Sequence, residues 1–270
     1  MENEKNKYQL MLQRIQSSIK PIILINACTH GHETVGVKII EELKKIKLLS
    51  GTLIYNIANE RAYELNLPFI ESDLNRSFPG DQFGTYEQKL AYYINPIIKA
   101  CDIVVDIHAT ETTDPGEESA IIVTNLNDET KRIVDTINPP KVLIMEHTKS
   151  SALMSEAKIG IGFEYGKNNH EKTASDIVVG IKRMLRLLDM LSFDEDGKPN
   201  LATQYFKVID VMPKDDSITL ENLVNYHQVK KGQIIGQKNG QPVYAKEDFV
   251  PILFGNNRYK DIFGFIGKML

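Results

Sequence analysis

Two histidines and two carboxylates stand where the strands of an α/β sheet would end. His30 and Glu33 lie three residues apart in Thr29-His30-Gly31-His32-Glu33, just after the apolar run at residues 21–26. His108 closes a second such run, Asp102-Ile-Val-Val-Asp-Ile107, and Glu164 closes a third over residues 159–164. Positions three apart at a strand-to-helix turn can face one cation, one from the turn and one from the first helical residues. With a distant histidine they make a His2Glu set, and three protein ligands plus water is the pattern of a catalytic zinc. Zinc (Zn2+) brings the pKa of its water to about 7 and polarises a carbonyl, while a separate carboxylate carries the proton. Glu164 is the candidate for that carboxylate. A His-x-x-Glu pattern by itself also fits a hydrogen-bonded loop histidine, and His108 by itself a structural one; it is their joint occurrence at strand ends that points to a metal. His32 is the alternative ligand, although in an H-G-H-E turn it should point away from His30. Cys28 reads as a buried structural thiol.

A second polar set lies in residues 59–84. Asn59-Glu-Arg61 precedes Ser72-Asp-Leu-Asn75-Arg76-Ser-Phe-Pro79. Arg61 and Arg76 suggest recognition of substrate carboxylates, because a guanidinium grips a carboxylate with two parallel hydrogen bonds. Asp73 reads as the partner of a loop arginine or a backbone amide rather than a fourth ligand.

These residues need a scaffold, and the apolar periodicity supplies one. Residues 1–19 read as an amphipathic helix, and helix spacing returns from Glu33 to about Lys47, over 85–100, 128–137 and 174–191. Buried-strand runs fall at 21–26, 52–58, 102–107, 119–124, 141–145 and 159–164. Strands alternating with helices predict an α/β fold, a mixed and mostly parallel sheet flanked by helices, with ligands beyond the carboxyl ends of the strands. Residues 59–84 predict a long loop, and loops of that length are usually functional. After a polar linker at 193–200, short β-type runs are separated by Gly, Asp and Pro. The expected organisation is a catalytic domain over 1–192 and a small β-rich C-terminal domain over 200–270.

Composition narrows the functional classes. A net charge of −4 offers no basic footprint for nucleic acid. Two cysteines, Cys28 and Cys101, cannot build a Cys-rich zinc framework. Residues 1–10, MENEKNKYQL, lack the apolar stretch of a signal peptide or spanning helix, so a cytoplasmic protein with no membrane partner is expected. Oligomeric state is not readable.

Taken together, A-x-T-H-G-x-E, N-x-R-A, D-L-N-R-S-F-P-G, D-I-V-V-D-I-H-A-T and G-F-E-Y-G resemble the succinylglutamate desuccinylase and aspartoacylase family of zinc carboxypeptidase-like hydrolases. The resemblance covers about residues 20–170 and extends weakly through Val250–Tyr259. It implies zinc held by His30, Glu33 and His108, with Glu164 as general base and acid and Arg61 polarising the scissile carbonyl. It further implies that Asn75 and Arg76 hold a substrate carboxylate and that Tyr259 contacts substrate. Zinc is the only cofactor implied, and an acylated amino acid the substrate. One departure stands out: aspartoacylases carry another arginine about ten residues before the catalytic glutamate, whereas Ser151–Gly160 contains none. Lys149 or Lys158 could substitute only as point charges. Two rival readings use the same residues: a metallocarboxypeptidase trimming peptides or peptidoglycan fragments, and a non-catalytic carboxylate- or metal-binding protein. The latter would have no need of Glu164.

Overall fold

The computed structural model describes residues 1–110, 119–146, 152–168, 171–192 and 202–270. Strands β1 (Ile22–Ala27), β2 (Thr52–Ile57) and β3 (Ile103–His108) form the parallel heart of the first unit. β1 and β3 are buried at every position and largely β-branched, as strands covered on both faces must be, whereas β2 at the sheet edge is half-exposed at Thr52, Tyr55 and Ile57. They continue into β6 (Gly160–Glu164), parallel to β3, and β4 (Ala120–Val123), antiparallel to β6, in the order β4-β6-β3-β1-β2. The sheet is therefore mixed and mostly parallel, as expected.

Alternation along the strands divides two cores. Ile22, Leu24, Ile54 and Val104 join Tyr8 and Ile15 of α1 (Glu2–Gln16) and Leu90, Ile94 and Ile98 of α4 (Tyr86–Ala100) in one apolar cluster. At roughly 1.5–3 kcal/mol per fully buried large aliphatic side chain, such a layer is a main source of stability. On the opposite face α2 (Val35–Leu43) comes so close that a Cβ on Gly36 would lie 2.6 Å from the Ala27 Cβ. Helix α6 (Glu171–Leu187) packs on α2 and on α5 (Asp128–Ile137).

The stretch 59–84 is less irregular than its composition predicts. It holds α3 (Glu60–Glu64) and a 3-10 turn, Leu74–Arg76. The Asn59 side chain caps α3 by accepting from Ala62 N–H at 3.2 Å. Glu87, fully buried in the first turn of α4, accepts from the amides of Ile70 (2.6 Å), Glu71 (3.0 Å) and Ser72 (3.0 Å) and from Asn59 Nδ2 (3.1 Å). One carboxylate thus stands in for the missing sheet or helix partners of this backbone.

The chain divides into two compact units, Met1–Val142 with Thr148–Thr203, and Leu143–His147 with Gln204–Leu270. Strand β5 (Lys141–Ile144) carries the chain from the first into the second. The second unit is β-rich. Strands β7 (Gln204–Pro213), β12 (Ile262–Met269) and β11 (Val250–Ile252) pair antiparallel, and β8 (Ile218–Leu220), β9 (Ile234–Lys238) and β10 (Gln241–Tyr244) form a three-stranded sheet. Its core centres on Val229, Ile235, Phe249, Phe254 and Phe263. The linker expected at 193–200 lies outside the described residues.

Candidate metal centre at the strand ends

The turn after β1 is built to present two side chains in one direction. Glu33 N–H bonds His30 O (3.0 Å) and Thr34 N–H bonds His32 O (3.1 Å), so the chain coils tightly before α2 begins at Val35. Glu33 consequently belongs to the turn and not, as the spacing suggested, to the first helical residues. Gly31 is required here by close approach: a Cβ would lie 2.2 Å from Ala62 C and 2.3 Å from Tyr63 N of α3. That contact holds the turn against the helix carrying Arg61. Asn168, beyond the end of β6, completes the fixation. Its Oδ1 accepts from Val35 N–H (3.2 Å), the cap Thr34 does not supply, and its Nδ2 donates to His32 O (2.7 Å).

His30, Glu33 and His108 are brought together, with one ligand atom from each within 4.8 Å of the others. The Nδ1 atoms of His30 and His108 each lie 2.9 Å from Glu33, one on Oε1 and the other on Oε2. The far nitrogens face other carboxylates: His30 Nε2 is 3.2 Å from Asp73 Oδ1, and His108 Nε2 is 2.8 Å from Asp106 Oδ2. An Nε2–H held by a carboxylate leaves Nδ1 as the atom offered to a metal. His32 is not in the cluster; its Nδ1 is buried without a hydrogen-bond partner among the described residues.

Charge also fits a divalent cation. Burial opposes a charge on His30, but hydrogen bonds to Asp73 and Glu33 outweigh it and push the imidazole up to about 9. His108 rises well above the ordinary histidine range because Asp106 and Glu33 overcome its burial. Burial works against the Glu33 carboxylate too, yet His108 and His30 bring it down to about 2. Replacing the two Nδ1 protons by one divalent cation leaves the charge of this cluster unchanged, so the donor set suits zinc in number, type and charge.

Glu164 ends β6 as the register partner of His108 on adjacent parallel strands. Register partners share a face, so both project on the side that carries Asp106. Arg61 is exposed on α3, its guanidinium carbon 5.5 Å from the centre of the Tyr86 ring. Asn75 and Arg76 lie in the 3-10 turn, whose cap is Asp73: its Oδ1 accepts from Asn75 N–H at 2.8 Å as well as from His30. Asp73 thus bonds a backbone amide, as expected, and a histidine of the candidate cluster, which was not. Asn75 Oδ1 accepts from Leu153 N–H (3.1 Å), so the amide turns its Nδ2–H donors elsewhere, the polarity a carboxylate needs. Arg76 is exposed and donates from Nη1 to Asn75 O at 2.9 Å. Tyr259 belongs to the second unit, where its ring meets Phe265 edge-on at 5.8 Å.

Lys158 does not replace the missing arginine. It pairs with Asp102 at 3.7 Å, before the first residue of β3, whereas His108 ends that strand. Six residues at roughly 3.3 Å each separate it from the metal cluster. Lys149 lies outside the described residues. Cys28 is buried beside the cluster, with burial and Glu33 pushing its thiol up to about 12, an inert group. The reading by spacing missed Asp106, Glu87 and Asn168. Only Asp106 carried a signal: two residues before His108 in a strand, it had to share the same face.

Comparison with known proteins gives the lineage. Residues 20–191 match the family described as Succinylglutamate desuccinylase/Aspartoacylase catalytic domain. Aspartoacylase of Rattus norvegicus is 28% identical over 236 residues, 75% of this chain and 73% of that protein. Murine aminoacylase 3 superposes with a TM-score of 0.74 at 16% identity, covering 92% of this chain and 95% of the other. The succinylglutamate desuccinylase/aspartoacylase of Rhodobacter sphaeroides does so at 0.69 and 19%, covering 93% and 86%. At such identities the structures speak for the fold, and the family match speaks for lineage: the chain belongs to the succinylglutamate desuccinylase/aspartoacylase family of acyl-amino-acid hydrolases.

Proposed function

We propose that the protein is a zinc-dependent amidohydrolase that cleaves the amide of an N-acylated amino acid or similar small carboxylate in the cytoplasm. The observation that carries this reading is the His30, Glu33 and His108 cluster at the strand ends, with Glu164 in register beside His108. A binding protein would need the first three but not the fourth.

His30 and His108 would hold the metal through Nδ1 and Glu33 through its carboxylate. Bound zinc would acidify a water and polarise the scissile carbonyl. Glu164 takes the proton from the attacking water and returns it to the leaving amine, so that both proton transfers pass through one carboxylate. Arg61 donates to the carbonyl oxygen as negative charge develops there. Asn75 and Arg76 receive the carboxylate of the substrate, one by amide N–H and one by guanidinium. Tyr259 is a further substrate contact, adopted on the family resemblance. Asp73 and Asp106 keep both imidazoles oriented without touching substrate.

The test is a hydrolysis screen of the zinc-loaded protein against N-acetyl, N-formyl and N-succinyl amino acids, beside short peptides. Turnover of an acylated acidic amino acid, absent after chelation and restored by zinc, is the expected result. Preference for peptides would turn the assignment to a carboxypeptidase. Zinc binding without hydrolysis would turn it to a binding protein.

A further inference from the structure

Three polar residues form one row across the sheet beneath the metal cluster, and only the last of them touches it. Asn56 of β2 is the register partner of Asn26 of β1, and Asn26 is the register partner of Asp106 of β3. All three are buried, and the residues two positions earlier, Ile54, Leu24 and Val104, are ordinary apolar core. An aliphatic side chain would pack in either asparagine position without the condition that every buried amide atom be paired. Something other than packing explains two adjacent amides there.

The direction of the hydrogen bonds supplies it. Tyr8 Oη–H, buried on α1, lies 3.3 Å from Asn56 Oδ1 and equally from Ala58 O. Asn56 Nδ2–H donates to Asn26 Oδ1 at 2.8 Å. Asn26 Nδ2–H donates to Asp106 Oδ1 at 2.8 Å, with Thr29 Oγ1 2.9 Å away. The Thr29 hydroxyl donates to the same oxygen at 2.8 Å, and His108 Nε2–H takes the other one. Every amide along the row hands its donor toward Asp106, and bonds aligned in this way polarise one another.

Building on the metal-site reading above, we infer that Asn26 and Asn56, anchored by Tyr8, are positioning residues for the metal centre. They hold Asp106 in one rotamer with one oxygen occupied, so that the other is reserved for His108 Nε2–H and Nδ1 is turned toward Glu33. The influence of the N-terminal helix on the metal passes along this row, through residues that never touch metal or substrate.

The experiment measures the zinc dissociation constant by chelator competition, with melting temperature and near-ultraviolet circular dichroism recorded on the same samples. The proteins are wild type, Asn26→Leu, Asn56→Asp and Tyr8→Phe. Asn26→Leu removes the donor to Asp106 and should weaken zinc about tenfold, the lower end for loss of a group that orients a metal ligand. Asn56→Asp keeps shape but cannot donate, which invites Asn26 to reverse its amide and face Asp106 with oxygen; a similar loss is expected. Tyr8→Phe should weaken zinc least and folds as the mildest change. If Asn26→Leu fails to fold, the other two decide. Lowered melting temperatures with wild-type zinc affinity in the folded protein would make the row merely structural and overturn the inference. A wild type that binds no zinc would instead remove the metal-site reading, and this inference with it.

Discussion

Asp106 Oδ2 lies 2.8 Å from His108 Nε2, two residues along the same strand, while Nδ1 of that imidazole faces Glu33 at 2.9 Å. The ring is held from both edges by carboxylates. Replacing Asp106 by Ala should weaken zinc about 10 to 100-fold, as loss of such an orienting partner commonly does. Chelator competition reads the change directly, and an unaltered dissociation constant would show that Asp106 does not set the orientation of His108.

The assignment of ligands makes a contrast between neighbours. Purified protein should carry about one zinc per chain, and His30→Ala or His108→Ala should lose it. His32→Ala should keep it, because His32 stands outside the cluster. Elemental analysis of the three variants suffices, and loss of zinc from His32→Ala would mean that the wrong histidine of the turn was chosen.

Glu164→Gln preserves shape but cannot accept the water proton, so kcat should fall by about 10² to 10⁴-fold. Zinc content and substrate affinity should hardly change, since the proposed binding contacts come from Asn75 and Arg76. Wild-type turnover by this variant would dismiss Glu164 as the base.

Metal-free protein should show a particular dependence on pH. His30, raised from 6.5 to about 9, contributes stability that is complete below 6.5 and is lost as pH rises through about 9. Glu33, lowered from 4.5 to about 2, contributes stability present above 4.5 and lost as pH falls through about 2. The contribution of this cluster to the melting temperature should therefore peak between 4.5 and 6.5. Zinc must displace protons from both imidazoles, so its affinity should climb as pH rises through about 9, where His30 titrates. Calorimetry with and without zinc would expose a flat profile if the cluster is not coupled in this way.

Glu87→Ala strips four donors of their shared acceptor, the amides of Ile70, Glu71 and Ser72 and the side chain of Asn59. With Asn59 buried and Ile70 and Ser72 half-buried, loss of this shared acceptor should cost about 3 kcal/mol of stability. The same stretch carries Asn75 and Arg76, the proposed substrate contacts, so KM should rise more than kcat falls. Denaturant unfolding and steady-state kinetics would separate the two effects, and unchanged stability would mean that water replaces the carboxylate.

Much of this protein was legible along the chain, for reasons of period and sterics. Apolar runs of strand length between helix-spaced segments determined an α/β sheet, and their polar ends determined that His30, Glu33, His108 and Glu164 lie at strand termini. Asp106 was readable as well, because a strand repeats its faces every two residues. Tertiary structure alone decided the rest. The separation of 43 residues between His30 and Asp73 is closed only when the 59–84 stretch folds back, a move organised by Glu87 and by the contact of Gly31 with α3. Likewise Asn26 and Asn56 stand at unremarkable places in two runs far along the chain from that of Asp106. Parallel register makes them one row, because pairing between distant strands is set by the whole sheet and its helices, not by any local signal.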